Sequence, residues 1–384
     1  MIMTLRTTLS YLILMAGPIW GIAQQTIEAT LLHDGLERTY ILYVPASYTG
    51  DESVPLVFNF HGYSSNANDQ MGYGDFRSIA DTAGFLLVHP QGTLLNGISH
   101  WNVGGWTTGS TVDDVGFTAA LIDAIASQYA IDRDRVYATG MSNGGFMSFQ
   151  LACQLSEQIA AIASVTGSMT PEIYDQCDPQ HPMPVLQIHG TFDFVVPYNG
   201  TTWTKSIEET LQYWVAFNQC EEVPITSTLP NTNILDGSTV DQFVYPDGNQ
   251  GLSTVHYRVN GGGHTWPGTW ISLPGTNQDF DASLEIWRFF SQYDINGLIV
   301  PSHQTEVVGT NQEIKLFPNP TKGLIWIEGA ESDHMLVALY SLTGQPLISD
   351  LKTIPDTPID LTHLPAGVYF LRLGDQVFKV IKAQ

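Results

Sequence analysis

The sequence predicts an α/β fold, with a mostly parallel, doubly wound sheet, followed by a small all-β sandwich. Between about residues 25 and 293, short apolar runs alternate with stretches of helical periodicity, which is the pattern of a parallel sheet covered by helices on both faces. The runs are apolar throughout, as is typical of strands that are buried on both faces. From about residue 313 the runs are short, alternate apolar and polar residues, and are separated by turn residues, which favours a β-sandwich.

The elements of the large region follow one another in chain order. It opens with a predicted hairpin of strands 26–32 and 39–44, joined at Asp34-Gly35, a dipeptide that favours a tight turn between antiparallel strands. The apolar runs that predict buried strands cover 55–60, 85–88, 135–139, 160–165 and 184–188. The helical patterns cover 114–129, 206–218 and 281–293, with Asp113 or Asp114 as the cap of the first. In the sandwich the predicted strands are 323–327, 335–341, 357–361, 368–373 and 376–381.

Shifts in composition divide the chain into four segments. Residues 1–23 combine Arg6, an apolar stretch and a small-residue end, which predicts a cleaved signal peptide. Residues 24–297 form the predicted α/β domain, 298–312 a polar linker and 313–384 the small β domain. The apolar stretch is short and interrupted, and no later segment is long enough to span a bilayer. We therefore expect an exported protein that has no integral membrane segment once the signal is removed.

The charge of the chain limits its partners. The 384 residues include 38 acidic and 14 basic ones, which gives a formal charge of −24. A surface with this charge repels nucleic acid and anionic membranes, so neither is expected as a partner.

Three cysteines, Cys153, Cys177 and Cys220, allow at most one intrachain disulfide bond. Export favours such a bond, but the sequence leaves open which pair forms it. The chain contains no Cys-x-x-Cys, His-Glu-x-x-His or phosphate-loop motif, so no metal or cofactor site is predicted.

A serine stands between glycines in the run Gly140-Met141-Ser142-Asn143-Gly144. A predicted strand precedes the run and a helical pattern follows it, which is the context that a nucleophile elbow requires. Glycines two positions from the serine let strand and helix approach each other, and the start of the helix presents free N–H groups where negative charge develops. We therefore predict that Ser142 is a nucleophile rather than an incidental serine in a glycine-rich connection.

A serine nucleophile needs a base, and the base needs an acid that orients it. On a doubly wound sheet the three follow in the order Ser, Asp, His, the last two in loops after later strands. Asp193 follows the strand that ends at His189-Gly190, and His264 follows a strand and three glycines. His256 falls inside a strand pattern and His189 is expected to shape its loop. The sequence therefore predicts Asp193 as the acid and His264 as the base.

Hydrolysis by such a serine also needs two N–H donors aimed at the developing oxyanion. The backbone amide of Asn143, directly after the nucleophile, is one candidate. The other is expected in the loop after an early strand, where "LVFNFHGYSSN" ends in His61-Gly62-Tyr63. We assign the Tyr63 amide, with that of Gly62 as the alternative.

Tryptophans are concentrated in loops near these residues. Trp101 and Trp106 flank "NVGG", and Trp266 and Trp270 follow His264. Their rings could stack on a sugar, a phenolic ring or a polyester chain. Packing of long loops explains any one of them equally well. Trp101, Trp106 and Trp266 are retained as candidate substrate contacts.

Five motifs together resemble one family. "HGYSSNA", "VDDVGF", "RVYATGMSNGG", "HGTFDFVVPY" and "GGGHTWPG", in this order and within about residues 36–292, resemble the polyhydroxybutyrate depolymerase and feruloyl esterase group of α/β-hydrolases. The resemblance implies an α/β-hydrolase fold, the roles of Ser142, Asp193 and His264 given above, and no cofactor. It also implies secreted hydrolysis of carboxylic esters, either in polyesters or in acylated plant polysaccharide.

The C-terminal segment resembles a second family. "LFPNPTKGLIWI", "LYSLTGQPL" and "LPAGVYFLRL" are similar to the C-terminal sorting domain of the type IX secretion system, from about residue 315 to the end of the sequence. This resemblance implies recognition by the secretion machinery and an extracellular or cell-surface location. A carbohydrate-binding module is the competing interpretation, but few aromatic residues are expected to be exposed here, because Trp326, Tyr340 and Tyr369 fit alternating core positions.

The combined hypothesis is a secreted serine esterase that works through an acyl-enzyme. A serine peptidase and a non-catalytic binding protein on the same fold are the alternatives.

Overall fold

The structure is a computed structural model. It describes residues 24–271, 273–299, 315–328, 335–341, 346–353, 358–373 and 376–383. The predicted signal peptide at 1–23 and the predicted linker from residue 300 onward lie outside the described residues.

A ten-stranded sheet forms the centre of the large region. The strands of this region are β1 (Gln25–His33), β2 (Leu36–Val44), β3 (Val54–Phe60), β4 (Leu86–Pro90), β5 (Thr93–Leu95), β6 (Ile98–His100), β7 (Ile131–Met141), β8 (Ala161–Val165), β9 (Val185–Gly190), β10 (Ile225–Thr228), β11 (Thr239–Tyr245), β12 (Thr254–Asn260), β13 (Tyr293–Asp294) and β14 (Gly297–Leu298). The order in the sheet is β1-β2-β4-β3-β7-β8-β9-β12-β11-β10. All neighbours from β4 to β12 in this order are parallel, and the strands outside them pair antiparallel.

Helices cover both faces of this sheet. They are α1 (Ala67–Tyr73), α2 (Arg77–Ala83), α3 (Asp114–Ala126), α4 (Asn143–Gln154), α5 (Pro171–Asp175), α6 (Ile207–Asn218) and α7 (Ala282–Phe290). Successive residues of one strand enter two different cores: Phe58 packs with residues of α3, α4 and α6, whereas Val57 packs with residues of α2 and α7. Because side chains alternate across a strand, this division confirms the predicted doubly wound α/β architecture.

The opening hairpin forms as predicted. β1 and β2 pair antiparallel from Gln25 and Val44 to His33 and Leu36. The two turn residues, Asp34 and Gly35, have φ values of 48° and 76°, which is the left-handed pair that this hairpin turn requires.

The C-terminal segment contains two small antiparallel sheets, in agreement with the predicted all-β character. One consists of β15 (Lys315–Phe317), β16 (Leu324–Glu328) and β19 (Ile359–Asp360), and the other of β17 (Met335–Ser341), β18 (Pro346–Thr353), β20 (Gly367–Leu373) and β21 (Gln376–Lys382). Their core contains Tyr369, as expected, but Trp326 and Tyr340 are half-buried and lie outside it. The reason is strand alternation, because Ile325, Ile327, Val337 and Leu339 occupy the inward positions.

Candidate active site

Ser142 lies at the corner between a strand and a helix. β7 ends at Met141 and α4 begins at Asn143, so Ser142 is the residue that caps the helix. Its φ of 55° and ψ of −119° are unusual for a residue with a side chain and store backbone strain. The strand, turn and helix therefore have the arrangement that the motif predicts.

The glycines around Ser142 are required by contacts between backbones. A Cβ atom on Gly144 would lie 2.1 Å from the carbonyl oxygen of Phe60, and one on Gly140 would lie 2.6 Å from the same atom. Real Cβ atoms do not approach other atoms so closely. The end of β3 can contact the elbow only because these two positions lack side chains.

Asp193 and His264 are hydrogen-bonded to each other. The Nδ1–H of His264 donates to Oδ2 of Asp193 over 2.7 Å. Oδ1 of the same carboxylate accepts the main-chain N–H groups of Val195 and Val196, at 2.9 and 2.8 Å. Asp193 is buried, so its orientation is fixed by these three donors and the imidazole is held by a fixed acceptor.

Ser142 lies at the same edge of the sheet as this pair. β7, β8, β9 and β12 are parallel neighbours, and Ser142, Asp193 and His264 all follow carboxyl ends of these strands. Within the described residues Oγ of Ser142 makes no hydrogen bond, and His264 makes only the one to Asp193. The hydrogen bond between serine and base often forms fully only in the substrate complex.

His189 lies directly behind the acid. Its Nδ1 accepts from Gln187 Nε2 at 3.0 Å, so Nε2 carries the proton and donates to the carbonyl of Val196 at 2.9 Å. The same Nε2 is 3.4 Å from Oδ2 of Asp193. Burial lowers the pKa of His189 to about 4, so the ring is neutral at pH 7. It stabilises the Asp193 loop through its hydrogen bond to Val196.

The loop with the assigned oxyanion donor lies against Ser142. A Cβ atom on Gly62 would be 3.5 Å from the Cβ of Ser142. Among the described residues, the main-chain N–H groups of Tyr63 and Asn143 have no protein acceptor. Both amides are therefore free to donate, and their role as oxyanion donors stays a prediction.

Two of the three tryptophan predictions are wrong. Trp101 is 0% exposed and Trp266 is 1% exposed, so neither ring is available to a substrate. Their indole N–H groups are used inside the fold, by the carbonyl of His61 and the hydroxyl of Ser283. Both lie in loops without periodicity, where the sequence gives no burial signal.

Trp106 and Trp270 have different surroundings. Trp106 is half-buried and lies edge-on to Tyr63, with 6.5 Å between ring centroids. It also packs against Phe146 and Trp203. Trp270 is 80% exposed. Of the four tryptophans singled out in the sequence, these two can still contact a substrate.

The aspartate pair at the start of α3 has two different roles. Asp113 caps the helix, because its side chain accepts the N–H of Gly116. Asp114 is buried and pairs with Arg38 over 2.7 Å. Sequence reasoning missed this pair because its two residues are 76 positions apart and no periodicity connects them.

One disulfide bond joins Cys153 and Cys177, and Cys220 is free and buried. Cys153 belongs to α4, the helix that begins directly after Ser142, and Cys177 follows α5. The bond therefore fastens the helix of the elbow to a neighbouring segment.

Neither a metal cluster nor a membrane helix is found in the part of the chain that the structure describes. No three His, Cys, Asp or Glu side chains in it are grouped so that they could hold a metal ion. None of its helices combines the length and the apolar character needed to cross a membrane.

Two family models match the chain. Residues 38–179 match the family described as Esterase PHB depolymerase, and residues 315–383 match the Secretion system C-terminal sorting domain. One part of the chain is thus similar to an esterase family and another to a secretion sorting domain. The sorting domain indicates a secreted protein, which confirms the predicted localisation. The match to the esterase family includes Ser142 and ends before Asp193 and His264.

Relatives that are similar to the first part of the chain are named as esterases. Feruloyl esterase B of Piromyces equi is 32% identical over 238 residues, which are 59% of this chain and 42% of that protein. A bifunctional acetylxylan esterase/xylanase of Neocallimastix patriciarum is 26% identical over 279 residues, 72% of this chain and 36% of that protein. The chain thus spans less than half the length of these two relatives. A solved structure, acetyl xylan esterase from Aspergillus awamori, aligns with a TM-score of 0.49 and 17% identity over 63% of this chain and 94% of that chain.

Proposed function

We propose that the protein is a secreted serine esterase that hydrolyses carboxylic esters through an acyl-enzyme. The observation that carries the proposal is the hydrogen bond from His264 Nδ1 to the buried Asp193, at the sheet edge where β7 ends in the elbow of Ser142. A carboxylate that accepts this bond keeps the imidazole in the tautomer and orientation that a base for serine needs.

The first half of the reaction forms the acyl-enzyme. Nε2 of His264 takes the proton of the Ser142 hydroxyl while Oγ attacks the ester carbonyl carbon. The carbonyl oxygen becomes an oxyanion that accepts the amide N–H groups of Tyr63 and Asn143. The tetrahedral intermediate collapses, the bond to the alcohol oxygen breaks, and the alcohol leaves with the proton from His264.

The second half releases the acid. His264 removes a proton from water, and the hydroxide attacks the acyl carbon through a second oxyanion in the same position. Collapse breaks the bond to Oγ, and His264 returns the proton to Ser142. Asp193 keeps its charge throughout and stabilises the imidazolium that forms in each half.

The relatives suggest the class of ester. Two of them are named for feruloyl and acetylxylan esters, and the matched family is named for a polyester. We propose acylated plant polysaccharide as the substrate, with polyester as the alternative. Trp106, half-buried beside Tyr63, is the proposed contact for the substrate on the nucleophile side.

The division of the chain is part of the proposal. We assign the esterase domain to residues 24–297 and the sorting domain to residues 313–384, with a linker between them. The sorting domain would be the part that the secretion machinery recognises.

Turnover of a short p-nitrophenyl ester tests the chemistry. We expect Ser142→Ala to lower kcat by about 10⁶-fold, as loss of a serine nucleophile does elsewhere. Ser164→Ala is the matched control, because Ser164 lies on neighbouring β8 and its buried hydroxyl has no hydrogen-bond partner among the described residues. Ester turnover that survives in Ser142→Ala would refute the proposal. Peptide cleavage without ester turnover would indicate a serine peptidase, and neither activity would indicate a binding protein.

Product analysis separates the substrate classes. Methyl ferulate, acetylated xylan and a polyhydroxyalkanoate film are incubated side by side with the wild-type protein and with Ser142→Ala. Release of ferulate or acetate that depends on Ser142 supports the polysaccharide assignment. Soluble hydroxyacids from the film alone would replace it with the polyester.

A further inference from the structure

The side chain of Asn143 is bound to the backbone of Trp101 at two points. Its Oδ1 accepts the main-chain N–H of Trp101 at 2.7 Å, and its Nδ2 donates to the carbonyl of Trp101 at 3.2 Å. Both residues are fully buried. The residue that supplies one oxyanion amide is thus fixed to a loop that lies 42 positions earlier in the chain.

The indole of Trp101 reaches the loop that supplies the other amide. Its Nε1–H donates to the carbonyl of His61 at 2.9 Å. This carbonyl belongs to the peptide unit that contains the N–H of Gly62. A trans peptide points its C=O and N–H in opposite directions, so the bond to Trp101 fixes the direction of that N–H.

The next peptide unit is fixed in the same way. The Nε2 of His61 accepts the N–H of Gly92 at 2.9 Å, so its Nδ1 carries the proton and donates to the carbonyl of Gly62 at 2.7 Å. The N–H of Ser65 donates to the same carbonyl at 3.1 Å. Two donors therefore hold the C=O of the unit whose N–H is the Tyr63 amide.

The loop of Trp101 is itself anchored from the opposite side. Oδ2 of the buried Asp114 accepts the N–H of Asn102 at 2.8 Å, and Oδ1 pairs with Arg38. Trp101 is consequently held at its main chain by Asn143, at its indole by His61, and through the next residue by Asp114.

We propose that Trp101 is a positioning residue that sets the two oxyanion amides, those of Tyr63 and Asn143, in register with each other. The inference rests on the proposed function, because it assigns a role within the same reaction. Oxyanion donors act only when they lie about 2.7–3.1 Å from the position of the charged oxygen, and a misplacement of about 1 Å can cost 10²-fold in rate. Trp101 is hydrogen-bonded both to Asn143 and to His61, so it connects the two backbone segments whose amides must lie at this distance from the same oxygen.

The chain offers a matched control for the packing contribution of the ring. Trp214 is also fully buried and belongs to the same hydrophobic core as Trp101. Its indole N–H is buried without a partner among the described residues. Trp→Phe at position 214 therefore removes the same atoms as at position 101 but breaks no hydrogen bond.

The test compares Trp101→Phe with Trp214→Phe on a p-nitrophenyl ester that the wild type hydrolyses. We expect Trp101→Phe to lower kcat by about 10- to 100-fold, with KM within about 3-fold because ground-state contacts are untouched. The inhibition constant of an alkyl boronic acid, whose adduct with serine is tetrahedral, should rise by a similar factor. Trp214→Phe should leave both quantities within about 3-fold of wild type, and thermal unfolding of both variants reports the packing cost.

Each other result has a defined meaning. If Trp101→Phe does not fold, Asn143→Ala decides in its place, because it keeps the Asn143 amide but removes both bonds to Trp101. An equal change of kcat in the 101 and 214 variants, or a change confined to KM, would overturn the inference while the esterase proposal stands. Absence of ester turnover in the wild type would overturn both.

Discussion

The two sides of the candidate active site are built differently. The nucleophile side, formed by the ends of β3 and β7, consists of backbones in direct contact and of neutral groups that are fully buried, such as His61 and Trp101. The acid–base side, formed by the loops after β9 and β12, has one buried carboxylate among exposed apolar side chains. Phe192 and Phe194 flank Asp193 and are 63% and 88% exposed.

We expect this difference to separate the residues that carry the chemistry from those that select the substrate. On the nucleophile side one added atom must displace the backbone beside Ser142, because the backbones have no space between them. On the acid–base side Asp193 is held by main-chain N–H groups of Val195 and Val196, so neighbouring side chains can change without moving it. We therefore expect substitutions on the two sides to have effects of very different size.

The largest effect on kcat is expected for a substitution of Asp193, the buried carboxylate of the acid–base side. Asp193→Asn keeps the size of the side chain but removes the acceptor that holds the His264 tautomer, and we expect kcat to fall by about 10⁴-fold. Steady-state kinetics on the p-nitrophenyl ester measures it. A loss of less than 10-fold would show that another group orients His264.

On the nucleophile side, Gly144→Ala tests the contact between backbones. The added Cβ would meet the carbonyl of Phe60 at 2.1 Å, so β3 or α4 must move. We expect a loss of about 10²-fold or more in kcat/KM and about 1–3 kcal/mol in the free energy of unfolding.

Gly72→Ala is the control for this substitution. Gly72 lies inside α1 and a Cβ there would meet no heavy atom within 4 Å. This variant should keep full activity and gain up to about 1 kcal/mol from helix propensity. If Gly144→Ala and Gly72→Ala changed kcat/KM and the free energy of unfolding equally, the contact between backbones at Gly144 would not explain the loss.

The buried histidines on both sides predict how stability depends on pH. Burial lowers the pKa of His61 and His189 to about 4 and that of His256 to about 3. Between pH 6.5 and 4 the unfolded chain therefore binds more protons than the folded one. The contribution of these histidines to the free energy of unfolding is complete above pH 6.5. It is lost as the pH falls from 6.5 towards 4, by up to about 1.4 kcal/mol per pH unit for each histidine.

Urea unfolding at pH 7.5 and pH 5.0 measures this loss. His256→Gln is the comparison, because His256 lies inside β12 and is hydrogen-bonded to the carbonyl of Gln187 and to Tyr198. The variant should show a smaller difference between the two pH values. A free energy of unfolding that is the same at both would refute the assignment of neutral buried rings.

The smallest effect on stability is expected at the exposed tip of the acid–base side. Phe194→Ser removes a ring that is 88% exposed, so the free energy of unfolding should stay within about 0.5 kcal/mol. kcat on a small ester should be unchanged, whereas KM for a polymeric substrate should rise several-fold if this ring contacts it. A large fall of kcat on the small ester would contradict this, because it would show that Phe194 also affects the position of Asp193.

The buried strands, the opening turn and the elbow at Ser142 could be predicted because their signals are local. Continuous apolar runs identified the buried strands, and Asp34-Gly35 identified the opening turn. Ser142 was recognisable because a tight strand-to-helix corner imposes glycines within a few positions. The roles of Asp193, His264 and the two amides remain predictions.

The missed features depend on contacts between distant parts of the chain. Antiparallel β10 and β11 at one edge of the sheet were not predicted, because both are short or half-buried and lack a continuous apolar run. The burial of Trp101 depends on Asn143 and His61, which lie about 40 positions away on either side. The pairing of Arg38 with Asp114 was missed for the same reason, because the two residues are 76 positions apart.

The disulfide bond between Cys153 and Cys177 can form only in an oxidising compartment, so the stability of the elbow depends on where the chain folds. Thiols stay reduced in the cytosol and are oxidised outside it, so the helix that starts at Asn143 is fastened only after export. The crosslink spans 24 positions, a loop length for which closure contributes about 3.4 kcal/mol in the chain-entropy model. Protein made in a reducing host compartment would lack this fastening, and preparations for kinetics belong in an oxidising one.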